Sequence, residues 1–241
     1  LPNQKQYYMI FHFFLHRFKK KRKALITLNF LVFDHIGGLN TFFHTIFNKG
    51  TIVSLKNKNV SNVINTCKKF KIELLPTTPT FLKMLSLIDK SELQKLSNLK
   101  IITYGTEMMN QKLLLDLCKL LPNIDFRQTY GMSEIGIMRV KSKSKKSLFV
   151  SIGGEGIKIK IVKKILFIKS KFQMIGYLNA ENPFDKDGWF NSKDIVEKKN
   201  GFIKIIGRVD NIINVGGLKF MASEVQEVAN SYKYIKHTKI L

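Results

Sequence analysis

Two cysteines, one tryptophan and five prolines in 241 residues leave the chain few covalent or conformational staples. With only Cys67 and Cys118 available, a disulfide-framed secreted scaffold is excluded, and a reduced, cytoplasmic compartment is the expectation. Long apolar runs are also missing. The longest near the start, residues 7–18, is broken by His12 and His16 and is too short to span a bilayer, so no transmembrane segment is expected. It has no basic stretch before it and no small-residue cleavage site after it, which excludes a signal peptide. Leu1 stands where an initiating Met would, which reads as a processed chain or a fragment.

Acidic residues are scarce. There are 17 Asp+Glu against 41 Lys+Arg, a formal net charge of +24. Arginine is scarcer still, because 36 of those 41 cations are Lys and only Arg17, Arg22, Arg127, Arg139 and Arg208 remain. Base-edge and bidentate phosphate recognition lean on the rigid guanidinium fork, so the charge alone is a poor argument for nucleic acid. The clusters Lys19–Lys23 and Lys141–Lys146 read as a solvated helix end and a surface loop. At 44% hydrophobic and 24% charged, the composition is that of a globular chain with material for a large core.

Periodicity divides the chain. Residues 5–22 read as an amphipathic helix and 24–33 as a buried strand. Helical stretches are then expected over 35–47, 60–70 (with Ile64, Cys67 and Phe70 on one face), 80–88 and 111–121. Between them lie extended runs at 51–55, 73–75, 99–104 and 124–129. Strands alternating with helices imply parallel pairing through right-handed crossovers, an α/β unit over 1–147. From 148 to 171, β-branched and charged residues alternate around Gly153, Gly154 and Gly156, which predicts an antiparallel meander and a β-rich unit over 148–209. From Asp210 the pattern resets: a strand to Val215, Gly216-Gly217, then a helix opened by Ser223 with Glu224 in its first turn. Residues 210–241 thus read as the unfinished start of an α+β domain.

Singly, the polar motifs are weak. Gly105-Thr106-Glu107 follows a strand, where ligands sit in a parallel sheet, but so does any strand-to-helix turn. Tyr130-Gly131-Met132-Ser133-Glu134 offers a ring for stacking, a close backbone approach, a hydroxyl and a carboxylate suited to Mg²⁺. Asp194 could accept two ribose hydroxyls or merely cap a turn, and Gly207-Arg208-Val209-Asp210 could be only a linker.

Their order changes the odds. The series YGTE, YGMSE, GWFNSKD, GRVDNIINVGG and SEV resembles the adenylate-forming superfamily of acyl-CoA synthetases, luciferases and nonribosomal-peptide adenylation domains, from Phe33 to Val225. The resemblance implies a parallel-sheet α/β subdomain, a small antiparallel β subdomain and a C-terminal α+β domain. It implies ATP-dependent activation of a carboxylic acid as its acyl-adenylate, then transfer to the thiol of CoA or of a phosphopantetheine-bearing acyl carrier protein. Gly105, Thr106 and Glu107 would line the adenine and acyl pocket, and Tyr130 would stack on adenine beside Gly131. Ser133 would stand for the usual Thr at the α-phosphate, and Glu134 would hold Mg²⁺. Asp194 would hold the ribose with Arg208 as its basic companion, Asp210 would be the hinge, and Gly216 and Gly217 would line the thiol tunnel. His35 and Gly37 would belong to the acyl-pocket wall, with a buried structural His35 an equal alternative.

Three departures accompany the resemblance. No Ser/Thr/Gly-rich loop ending in Gly-x-Pro-Lys occurs in the 241 residues, and no Lys sits in the context of the family's near-terminal catalytic lysine. The usual Thr-Gly-Asp is Ser192-Lys193-Asp194. This polypeptide alone is therefore expected to adenylate little, to expose an apolar sheet face, and to have no catalytic residue of its own. The acid reads as fatty or polyketide-type from the Phe-, Leu- and Ile-rich lining. A remnant that only binds nucleotide, the N-terminal part that the family carries, or a complementing subunit is the second reading. A basic nucleic-acid-binding protein ranks last.

Overall fold

The computed structural model describes residues 23–215, 218–232, 235 and 238. The helix expected over 5–22 and the glycines Gly216 and Gly217 lie outside the described residues.

A five-stranded parallel sheet forms the first half. Its strands are β1 (Ile26–Asn29), β2 (Thr51–Ser54), β3 (Leu74–Thr77), β4 (Ile101–Tyr104) and β5 (Asp125–Gln128), in the order β2-β1-β3-β4-β5. Helices α1 (Ile36–Phe47), α2 (Val60–Lys69), α3 (Pro79–Leu85), α4 (Lys90–Leu93) and α5 (Gln111–Leu120) make the crossovers. Three of them start at polar residues whose side chains accept orphan N–H groups: Asn59 from Asn62 at 2.8 Å, Thr78 from Phe81 at 3.2 Å, Asn110 from Leu113 at 3.1 Å. Pro79 follows Thr78 at the first helical position, where its missing N–H costs nothing.

One sheet face carries Leu75, Ile102, Tyr104 and Phe126 into a core with Val63 and Ile64 of α2, Phe81 and Leu82 of α3, and Leu114 and Leu117 of α5. Each of these aliphatic side chains is 1% exposed or less, worth about 1.5–3 kcal/mol apiece in apolar burial.

The expected elements hold with shifted ends. The strand expected over 24–33 is only four residues long, because its parallel partner β2 is four residues long, and Val32 and Phe33 are exposed. Helix α2 stops at Lys69 and the chain turns through Lys71 at φ 51°, so Phe70 leaves the expected apolar face and Val63 takes its place. Strand β3 runs through Pro76; its ladder to β1 is the single pair Thr27↔Leu74, upstream of the residue that has no N–H to give. The last helix, after the hairpin below, begins at Ala222 rather than at Ser223. There Glu224 accepts the Met221 N–H at 2.9 Å.

The loop after β5 makes a two-stranded hairpin, β6 (Gly131–Met132) with β7 (Gly136–Ile137). A six-stranded sheet follows: β8 (Arg139–Ser142), β9 (Val150–Gly153), β10 (Ile157–Val162), β11 (Ile165–Ser170), β12 (Phe190–Lys199) and β13 (Phe202–Arg208), in the order β10-β11-β12-β13-β9-β8. Every ladder in it is antiparallel, and β13 meets β9 at one register pair, Ile203↔Val150. A second core gathers Tyr130, Ile135, Met138, Val150, Ile152, Leu166, Ile168, Val196 and Ile203. A short turn, Val209–Asn211, leads to the hairpin β14 (Ile212–Val215) and β15 (Leu218–Met221) and to α6 (Ala222–Ser231). Among the described residues no helix is long and apolar enough to cross a membrane.

Candidate nucleotide and acyl site

A cleft of about 1340 Å³ opens where the two sheets meet. Alternate residues of β3, β4 and β5 (Leu74, Pro76, Ile101, Thr103, Asp125, Arg127) line it from the sheet face turned away from the first core. That face mixes polar and apolar groups, where an apolar one was expected. His35, Ile36, Gly37, Asn40 and His44 of the α1 region form a second wall, and Gly131 to Glu134 with β8 form a third. Six cations (Lys23, Lys100, Arg127, Arg139, Lys141, Lys145) line it against two carboxylates, Asp125 and Glu134. Such a wall favours an anionic ligand.

Of the residues singled out in the sequence, His35, Gly37, Gly105, Thr106, Gly131, Ser133 and Glu134 all reach this cleft. His35 is exposed at the start of α1, which removes the buried structural alternative. Gly105 is required where it stands: a Cβ there would lie 2.2 Å from Thr129 Oγ1, which itself donates to the Tyr104 carbonyl at 3.1 Å. Gly131 is equally tight, with a Cβ 2.7 Å from the Gly136 carbonyl across the β6–β7 hairpin.

Glu107 does something other than line the pocket. Its Oε2 accepts the Thr80 N–H at 3.0 Å and the Thr80 hydroxyl at 2.6 Å, so the carboxylate closes the N-terminus of α3.

Tyr130 also departs from expectation. Its ring is 9% exposed and packs in the second core, leaving little free face for stacking on a base. Its hydroxyl donates to Asp194 Oδ2, a contact between the loop leaving the parallel sheet and strand β12, 64 residues on. Burial, and next the Asp194 charge, push the Tyr130 phenol well above its ordinary value, so it keeps its proton as the donor.

Asp194 lies opposite Arg208 in the β12–β13 register, with Oδ1 3.6 Å from Arg208 Nε. Arg208 also donates to the Ser192 carbonyl at 3.3 Å, while Ser192 Oγ donates to the Leu166 carbonyl at 2.7 Å and accepts the Asp194 N–H at 3.1 Å. Burial raises the Asp194 carboxyl above its ordinary value, and the Tyr130 hydrogen bond and Arg208 charge pull it back. The residue between Ser192 and Asp194 has φ 58°, the left-handed conformation that glycine adopts freely and Lys193 does not.

Ser133 is exposed at the tip of the β6–β7 turn and Glu134 is half-buried beside it. Glu134 is fastened twice by the segment after β11: Oε1 accepts from Tyr177 at 2.6 Å and its carbonyl accepts from Met174 N–H at 2.8 Å. The hydrogen bond to Glu134, with burial second, pushes the Tyr177 phenol up to about 12. Nothing in the sequence around Tyr177 except a Gly-Tyr pair before a turn-rich stretch could have singled it out. Among the described residues no group of three or more His, Cys, Asp or Glu could hold a metal ion. A single carboxylate is still what Mg²⁺ uses when substrate phosphates and waters complete its octahedron, so the donor set fits that ion.

The model for the family described as AMP-binding enzyme matches residues 5–164. A 4-coumarate–CoA ligase-like protein of Arabidopsis thaliana is 27% identical over 83% of this chain and 40% of its own length. A medium/long-chain fatty-acid–CoA ligase of Mycobacterium tuberculosis is 25% identical over 79% of the chain and 37% of its length. Among solved structures, o-succinylbenzoate CoA synthetase of Bacillus subtilis in complex with its acyl-adenylate intermediate superposes with a TM-score of 0.72. Its identity is 19%, over 98% of this chain and 51% of that one. An amide bond synthetase of Marinactinospora thermotolerans gives 0.76 at 14% identity, over 95% and 51%. The chain therefore spans about two fifths of these curated relatives and about half of the solved ones, and shares their fold.

Proposed function

The chain belongs to the AMP-binding enzyme family, and we propose that it carries the adenylate-handling half of an AMP-forming acid–thiol ligase. The observation that carries this reading is the buried contact of Tyr130 with Asp194, itself paired with Arg208. It joins the motif after β5, whose Gly131, Ser133 and Glu134 line the cation-rich cleft, to the motif on β12.

In the reaction, a carboxylate oxygen attacks the α-phosphorus of ATP, the Pα–O–Pβ bond breaks, and pyrophosphate leaves with the electron pair. A thiolate, of CoA or of a carrier-protein pantetheine, then attacks the acyl carbonyl and AMP leaves. Two anions meet in the first step, so fixed positive charge is the chief requirement. Arg139, Lys141 and Lys145 supply part of it at the cleft wall. Ser133 is suited to donate to the α-phosphate and Glu134 to hold Mg²⁺. That ion would neutralise phosphate charge and orient pyrophosphate for departure. Asp194 and Arg208 act on the ribose, which fixes the distance between the reacting atoms. Asp210 is the pivot about which the segment from 210 onward turns, with Gly216 and Gly217 at the thiol's path. The units proposed are 1–147, 148–209 and 210–241.

The substrate proposed is a hydrophobic carboxylic acid of fatty or polyketide type, with His35 and Gly37 at its pocket wall. The buried thiols, Cys67 pushed up to about 12 by desolvation, suit a cytoplasmic setting and carry no chemistry. No phosphate-cradling Gly-x-Pro-Lys loop occurs in the 241 residues, so we propose that this polypeptide alone turns over little.

Titration of the chain with AMP, followed by acid-dependent ATP–pyrophosphate exchange, tests the reading. AMP binding that Asp194→Ala abolishes supports it, and equal binding by both proteins, or none by either, overturns it. Binding without exchange would make the chain a nucleotide-binding remnant.

A further inference from the structure

The geometry points to Tyr177 as a positioning residue for Glu134, one that fixes the carboxylate for a nucleotide-bound divalent cation. The inference rests on the reading of Glu134 above and adds to it a residue on a different element.

Glu134 sits in a tight turn between two-residue strands, a weak frame for a side chain with three rotatable bonds. The frame is completed from outside. The Tyr177 hydroxyl donates to Oε1 at 2.6 Å and Met174 N–H donates to the Glu134 carbonyl at 2.8 Å, so backbone and carboxylate are held by one segment. That segment is braced in turn by Gln173. Its Oε1 accepts from Ser170 N–H at 2.9 Å, and its Nε2 donates to the Gly188 carbonyl at 3.2 Å, tying both ends of the loop together.

Tyr177 is 45% exposed, so burial does not force its hydroxyl onto the carboxylate. With Oε1 committed, Oε2 remains for the cation, and the carboxylate no longer has to be ordered when the ion arrives. Mg²⁺ demands near-ideal octahedral geometry, so a ligand oxygen free to swing is penalised more than it would be around Ca²⁺. Hydrogen-bond partners of ligating groups typically contribute 10–100-fold in metal affinity.

The test is Mn²⁺ titration of the 241-residue chain in the presence of a non-hydrolysable ATP analogue. It is followed by water-proton relaxation, which separates the ternary complex from the metal–nucleotide pair. Tyr177→Phe is expected to weaken the ternary complex about tenfold while leaving the thermal midpoint within a degree or so of wild type, since an exposed hydroxyl is removed. Loss of Mn²⁺ affinity at unchanged thermal stability is an effect a merely structural role would not produce. Unchanged Mn²⁺ affinity in Tyr177→Phe, with loss in Glu134→Gln, would overturn the role of Tyr177 and leave that of Glu134 intact. Unchanged affinity in Glu134→Gln, or no ternary complex with wild type, would overturn both.

Discussion

Lys193 and Asp210 are bound to each other, the ammonium lying 3.2 and 3.4 Å from the two carboxylate oxygens. The pair ties β12 to the turn that begins the last described unit. Lys193 holds this position at φ 58°, next to the β-bulge at Ile195/Val196, so the side chain that makes the bridge sits on backbone that disfavours it. The left-handed residue turns the next one, Asp194, inward to Tyr130.

Lys193→Gly removes that conflict along with the bridge. Relief at a left-handed position is worth about 1 kcal/mol, and an ion pair half-exposed on both sides about 0–1 kcal/mol. Stability in urea is expected to be unchanged or up to about 1 kcal/mol higher. Lys193→Val should be less stable than either. A glycine variant clearly weaker than wild type would mean that the bridge outweighs the strain.

Asp194 makes stability depend on pH. Its carboxyl is raised in the folded protein, so the folded state holds the proton more tightly than the unfolded one. The favourable contribution is complete below the ordinary carboxylate value and is lost as pH rises through the raised one. Asp194→Asn, which cannot ionise, is expected to match or exceed wild-type thermal stability at pH 7, with the difference shrinking as pH falls toward 4. Melting curves of both proteins from pH 4 to 8 check it, and a difference that grows on acidification would reverse the sign.

Gly105→Ala is expected to cost about 1–3 kcal/mol by overpacking against Thr129, since the added Cβ would lie 2.2 Å from Oγ1. The Thr129→Ala double variant should recover much of it, because the clashing atom is gone. A double-mutant cycle in urea that shows no coupling would place the cost elsewhere.

Glu107→Ala should lower stability by about 1 kcal/mol, the usual scale for losing a helix-terminus acceptor. AMP affinity should stay near wild type, because the carboxylate is engaged by Thr80. A large loss of AMP binding at unchanged stability would return Glu107 to the ligand.

Much of this was legible in residues close together in sequence. The capping residues Asn59, Thr78 and Asn110, the apolar spacing of α2 and α5, and the switch to period-two alternation after 147 are local signals, and the elements follow them. What escaped depends on distant partners or on a backbone turn that side-chain spacing does not announce. Strand β1 is short because β2 is short, Phe70 is exposed because Lys71 turns the chain, and Tyr130 is buried because Asp194 arrives from β12. The motif order pointed to Ser133, Glu134 and Asp194. It could not point to Tyr177 or Thr80, whose roles come from meeting Glu134 across 43 residues and Glu107 across 27.

The single register pair Ile203↔Val150 gives the six-stranded sheet a seam. On one side lies the four-stranded meander β10–β13; on the other, the β8–β9 hairpin, flanked by Leu148 in the first core and carrying Val150 and Ile152 into the second. The hairpin is therefore clasped by side chains more than by its own amides. In a partial opening it would peel away as a unit, early and with fast hydrogen exchange, while the meander stayed protected. Peeling would bare the long β13 edge, which makes this seam the place where crowding at high concentration would turn into aggregation.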